Sequence, residues 1–218
     1  MKNLAIVFFA ILITECCFAQ DDAQQIYKPA AKNFTAEVNF NPFSSSPVSI
    51  NYLRVRKFLT ERKALRVGLL VGFKNQQPQD KINQNSFEIN IRPGYEWHFA
   101  GTERLSPYLG ADIDVAFKTS NYKNSGSPNV YVTSVDGAWD TNGTEHGFFR
   151  FGGNILAGVD YYVFKKLYMG LEFGYGFQLI NYSDVVVTQG SSSSTAAGGS
   201  NFQLGPNYNS ALRLGFVF

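Results

Sequence analysis

The sequence predicts an all-β protein, an eight-stranded antiparallel up-and-down transmembrane β-barrel. Three observations lead there. In the segment from Leu167, the odd positions Leu167, Met169, Leu171, Phe173, Tyr175, Phe177 and Leu179 are apolar, while the even ones alternate glycine with Tyr168, Glu172 and Gln178. This period of two outlasts the roughly 9 to 11 residues that a tilted strand needs to cross a bilayer, so one face meets lipid and the other a lumen. The last residues repeat it, with Leu212, Leu214, Phe216 and Phe218 on one side and Arg213, Gly215 and Val217 on the other. Finally, short charged connections alternate along the chain with long polar ones, the pattern of tight turns at one end of a barrel and longer loops at the other.

Composition agrees: aromatic residues reach 16% and charged residues only 17%, with 20 Gly and 20 Phe in 218 residues. A barrel keeps its polar residues in the lumen and loops, so every second strand residue is apolar while the average stays moderate. The net charge of +2 gives no reason to expect nucleic-acid binding.

At the amino terminus, Lys2 precedes the apolar run 4–13, and Cys17, Phe18 and Ala19 precede a cleavage point at Gln20. Residues 1–19 are expected to be an export signal, residues 20–32 a periplasmic segment and residues 33–218 the barrel. The apolar run is too short to span a bilayer as a helix. Both cysteines lie in the signal, which leaves the rest of the chain without a disulfide or a thiolate metal site. Acylation of one of them is the alternative, but Glu15 before Cys16 and Thr14 further back are poor residues for a lipid-attachment site.

Strands are expected over 34–43, 48–59, 65–74, 87–99, 105–117, 149–163, 167–179 and 202–218. In the fourth, Phe87, Ile89, Ile91, Pro93, Tyr95 and Trp97 face out, while Glu88, Asn90, Arg92, Gly94, Glu96 and His98 face in. In the fifth, Leu109, Ala111, Ile113, Val115 and Phe117 alternate with Tyr108, Gly110, Asp112 and Asp114. The sixth sets Phe149, Phe151, Ile155, Val159 and Tyr161 against Arg150, Gly152, Asn154, Gly158 and Asp160. The second is irregular, because Ile50 and Tyr52 share one parity and Leu53 and Val55 the other. A bulge near Tyr52 is expected, and the facing of the strand stays open.

The inward charges Glu37, Arg66, Glu88, Arg92, Glu96, Asp112, Asp114, Arg150, Asp160, Glu172 and Arg213 carry both signs. An eight-stranded barrel is only wide enough for side chains to fill it, so these charges are expected to pair as a salt-bridged plug. Glycines within the strands relieve crowding there and do not form a phosphate loop, which belongs between a strand and a helix. Trp97, Tyr95 and Phe99 are expected in one interfacial aromatic girdle, with Phe87, Phe117, Phe149 and Phe151 in the other.

Short turns fall at 60–63, 100–104 and 165–166, and long loops at 75–85, 120–146 and 188–201. The loop 120–146 holds Tyr122, Tyr131 and Trp139, and its stretch 130–135 can extend the neighbouring strands as a hairpin. These aromatics are candidate partner contacts, or else they pack on the barrel rim. The loop 188–201, rich in serine and glycine, reads as flexible.

The histidines offer no Ser-His-acid spacing of a lipid A deacylase: His98 falls at the periplasmic end of its strand, and His146, at the end of the longest loop beside Glu145, is expected to be a solvated loop residue. No catalytic residue, cofactor or metal ligand is expected. A soluble lipocalin-like barrel is the architectural rival, but it turns its apolar face inward.

The segments 105–110 (LSPYLG), 167–174 (LYMGLEFG) and 214–218 (LGFVF), together with the signal ending at Ala19, resemble the small eight-stranded outer-membrane barrels of the OmpA/OmpX type. The resemblance covers nearly all of the chain after the signal. It implies an integral outer-membrane protein of a Gram-negative bacterium with both termini in the periplasm. Its partners would be membrane lipid and lipopolysaccharide, the barrel-assembly machinery, and a surface or envelope protein. The family's terminal assembly signal is matched by Phe216 and Phe218, whereas Arg213 stands where a glycine is usual. A non-enzymatic barrel that interacts through its loops is the leading expectation. A narrow pore and a lipid-modifying enzyme are the alternatives.

Overall fold

The computed structural model describes residues 27–40, 48–126, 133–208 and 212–218, so the expected signal lies outside it. The described residues form strands joined by turns and loops, without a helix. In chain order the strands are β1 (Phe34–Phe40), β2 (Val48–Thr60), β3 (Lys63–Gln76), β4 (Ile82–His98), β5 (Leu105–Asn124), β6 (Thr133–Asp136), β7 (Phe148–Phe164), β8 (Leu167–Tyr182), β9 (Val185–Gln189), β10 (Ser192–Ala196), β11 (Ser200–Tyr208) and β12 (Leu212–Val217).

Eight of these close a ring. β1 pairs β2, and the antiparallel ladder continues through β3, β4, β5, β7 and β8 to β12, which pairs β1. Closure satisfies the backbone groups that an open sheet would leave at its edges, a condition for crossing a bilayer with strands. The expected last strand is divided in two: β11 pairs the loop-side half of β8, from Tyr208 opposite Phe173 to Ser200 opposite Asn181, and β12 pairs its other half.

The irregularity near Tyr52 is present, since Val38 faces Leu53 but the next residue, Asn39, faces Ser49. Beyond it the facing of β2 is regular. Leu53, Val55, Lys57 and Leu59 point out, whereas Arg54, Arg56 and Phe58 are buried in the lumen.

Around the ring the outward positions are apolar and open, as with Val71, Ile113, Leu171 and Phe173. Uncovered apolar area so continuous is unsuited to water and fits a belt in contact with lipid. Trp97 and Phe99 stack 6.4 Å apart at the short-turn end of that belt. The buried residues of the ring are mostly polar or charged, an inversion of a soluble fold.

The expectation of a flexible loop at 188–201 is corrected. β9 and β10 form a hairpin about Gly190, whose φ of 61° suits the tight two-residue turn. β9 also pairs β6, and β6 pairs the end of β5. Two of the three long loops, 120–146 and 188–201, therefore join in one small sheet beyond the ring, because each side supplies valines that the other covers.

Candidate functional site

The lumen holds a network of ion pairs at its centre. Glu37 of β1 accepts two hydrogen bonds from Arg213 Nη1, at 2.9 and 2.8 Å, one from Arg54 at 2.7 Å and one from the Tyr168 hydroxyl at 3.0 Å. Glu172 of β8 accepts from both terminal nitrogens of Arg66, at 2.7 and 3.1 Å, from Arg54 at 3.0 Å and from Tyr108 at 2.5 Å. Arg56 joins Asp160 at 2.7 Å to Glu96 at 3.0 Å, and Arg213 reaches Asp160 at 3.2 Å. The four guanidiniums are each no more than 1% exposed, so their charges are balanced by the carboxylates rather than by water.

A second cluster lies nearer the long loops. Asp112 accepts from Arg92 at 3.2 Å and Asn154 at 2.8 Å, and Asp114 from Asn90 at 2.5 Å and Arg150 at 3.4 Å. Among the expected lumen charges, Glu88 stays apart. It is half-buried, opposite Lys118 in register, and joins no salt bridge among the described residues.

Arg54 and Arg56 belong to this site, although the sequence reading left both out. Their parity was hidden by the bulge before Leu53. One signal was available: the expected inward charges comprise Arg66, Arg92, Arg150 and Arg213 against a larger number of carboxylates, an imbalance that a narrow lumen filled by side chains does not tolerate. The two arginines after the bulge supply the missing positive charge.

Glycine completes the packing. Tyr108 lies across its cross-strand partner Gly158, and Tyr168 across Gly215, so that a Cβ at either glycine would overlap a tyrosine ring.

His98 faces the lumen as its parity predicts and is only 1% exposed. Its Nδ1 lies 2.9 Å from Ser106 Oγ and its Nε2 3.1 Å from Glu96 Oε2, with the Phe58 and Tyr108 rings both 5.1 Å away. The side chains form a chain of hydrogen bonds, but Glu96 is also held by Arg56 and Arg66. His146 is half-buried against Tyr182.

Of the two roles expected for the aromatics of the long loop, the described ones take the second, packing on the barrel and its loops. Trp139 is 8% exposed and packs on the rim, where its Nε1 donates to the Asn85 carbonyl at 3.0 Å, Gln84 donates to its own carbonyl, and the Lys74 ammonium sits 5.5 Å above its ring. Tyr122 packs on the cluster of Val135, Ala138 and Val185 that holds the external sheet together. Tyr131 lies outside the described residues.

Below that sheet, Asp140 accepts from the Asn142 and Thr144 amides at 2.9 and 3.0 Å and from the Thr144 hydroxyl at 2.8 Å. Desolvation disfavours its charge, yet these bonds together outweigh it and hold the carboxyl below its ordinary range. Glu145 is also held low, foremost by its hydrogen bond from Lys118.

Phe216 and Phe218, the expected assembly signal, are in edge contact at 5.0 Å, with Phe218 exposed at the short-turn end. The described residues contain no cluster of metal-ligating side chains. A comparison with curated proteins finds no match. A family model described as "Putative OmpA-OmpF-like porin family" matches residues 60–216, a span that begins at the first short turn and takes in the ring from β3 to β12. With most of its length matched, this outer-membrane β-barrel chain belongs to the OmpA-OmpF-like porin family.

Proposed function

We propose that the protein is a non-enzymatic barrel whose joined long loops form an external platform for an envelope component or a surface partner. The carrying observation is the sheet β5–β6–β9–β10. It draws on the long loops 120–146 and 188–201 and has its own packed core of Val135, Ala138 and Val185. Building such a core orders loop residues at an entropic cost that simple strand connections do not require. In this reading the short turns and both ends of the chain lie in the periplasm, after export directed by residues 1–19. The lengths of the connections support that orientation.

A non-catalytic role is supported by the lumen, where each central carboxylate is engaged by arginine and the Ser106–His98–Glu96 chain is buried. The second reading is a narrow pore, favoured by the family's porin name. The filled cross-section weighs against it.

Replacing residues 125–145 with a short Gly/Ser link tests the platform. The shortened protein is expected to remain a heat-modifiable barrel, because the ring pairs without β6. Binding to whole cells, lipopolysaccharide vesicles or a co-purifying protein should be lost. Retained binding, together with single-channel conductance that changes on Arg150→Gln, would overturn the platform in favour of the pore.

A further inference from the structure

We infer that the short-turn rim is a binding collar for anionic phospholipid headgroups. The cations of this rim come from separate places in the sequence that the ring brings to one level. The turn between β2 and β3 supplies Arg62, the first residue of β3 is Lys63, and the turn between β7 and β8 supplies Lys165 and Lys166. Arg104 precedes β5, Lys28 and Lys32 precede β1, and Lys57 stands near the end of β2. Among the described residues, the acidic side chains of the same rim are Glu61 and Glu103.

Their environment distinguishes these cations from the others. Among the described residues, salt bridges join lumen groups or, at the long-loop end, Lys74 and Lys118 to Glu145. None involves a cation of the short-turn rim. Lys57 even occupies a lipid-facing position, with its ammonium 5.4 Å from the Phe34 ring centroid, and Lys63 is the cross-strand partner of Trp97. Aromatic girdle and cations are thus adjacent, as at a membrane interface, where long basic side chains reach to the phosphate level.

A shallow open cleft on this rim gives the headgroup a seat. It is lined by Ala31, Thr60, Glu61, Arg62, Lys63 and Trp97. The indole supplies an apolar wall for the upper acyl chain, while Arg62 and Lys63 supply positive charge for the phosphate. Glu61 is the opposing charge in the same cleft. Which leaflet provides the lipid rests on the orientation proposed above, whereas the preference for an anionic headgroup does not.

The protein's two tryptophans make the test simple, because Trp97 stands at the collar and Trp139 at the other end. In a Trp139→Phe protein inserted into phosphatidylcholine vesicles, Trp97 emission reports a trace of phosphatidylglycerol brominated near the headgroup. An equal fraction of brominated phosphatidylcholine is the reference. The anionic lipid is expected to be enriched beside Trp97 by about fivefold or more, the equivalent of about 1 kcal/mol for one engaged cation. Arg62→Gln with Lys63→Gln should remove that enrichment, and Lys123→Gln, exposed at the long-loop end, should leave it. Equal quenching by the two lipids, or enrichment that survives the Arg62 and Lys63 changes, overturns the inference. Native mass spectrometry of the unsubstituted chain, counting retained phosphatidylglycerol against phosphatidylcholine, gives the same decision without a tryptophan change. Orientation is read separately: labelling of Glu61→Cys, but not Asn142→Cys, by an impermeant maleimide on intact cells would reverse the orientation and leave the vesicle result standing.

Discussion

Tyr168 and Gly215 are direct cross-strand partners, and the tyrosine ring occupies the space in which a Cβ of residue 215 would stand. From there its hydroxyl reaches Glu37 at 3.0 Å and its ring lies 5.0 Å from the Arg56 guanidinium. Gly215→Val should therefore displace Tyr168 and weaken the ion-pair network beyond local crowding. Overpacking costs about 1 to 3 kcal/mol, and a lost buried hydrogen bond to a carboxylate adds a similar amount. Reversible urea unfolding in vesicles measures the change, and wild-type stability would contradict the packing role.

Arg56 bridges Asp160 and Glu96, which belong to β7 and β4. Arg56→Met leaves both buried carboxylates short of a partner, and a loss of about 3 to 5 kcal/mol is expected. The exposed Lys123→Met should stay within about 0.5 kcal/mol. Similar effects for the two would mean that water reaches the network.

The lipid face is tested at Leu171, which neighbours the lumen residue Glu172. Leu171→Arg should destabilise the inserted barrel by roughly 2 to 4 kcal/mol near the membrane midplane. On the opposite face of β8, Gln178→Arg should be milder. Refolding yields into vesicles, followed by the gel shift between heated and unheated samples, distinguish the two.

The external sheet should loosen in acid. Asp140 and Glu145 have carboxyls held below their ordinary range in the folded loop, so they bind protons more weakly there than when the loop is open. Their contribution is full above the unfolded carboxylate range, near pH ~4. It is lost as pH falls through the lower folded values. In a Trp97→Phe protein, Trp139 emission should shift to the red over that acid window while the barrel remains heat-modifiable. Asp140→Asn with Glu145→Gln should remove the transition. An unchanged acid transition in that double variant would assign it to other groups.

The apolar alternation of the ring strands was readable because each faces lipid on one side, and a period of two imposed by that boundary is written into single residues such as Leu171 and Glu172. The same rule failed at β2, where extra residues before Leu53 reset the parity and hid Arg54 and Arg56. A bulge is a property of the pairing between two strands, and no residue of β2 alone announces its register. For the same reason inward carboxylates and arginines were legible along the chain but their partners were not: Arg213 meets Glu37 because closure of the ring sets β12 beside β1. Tertiary structure alone decided the fate of the loops. Val135 and Val185 lie far apart in the chain, and only their meeting beyond the ring removes both from water, turning serine-rich and glycine-rich connections into a sheet. The sidedness of a strand follows from its own residues, whereas the pairing of charges and the meeting of loops follow from closure of the ring.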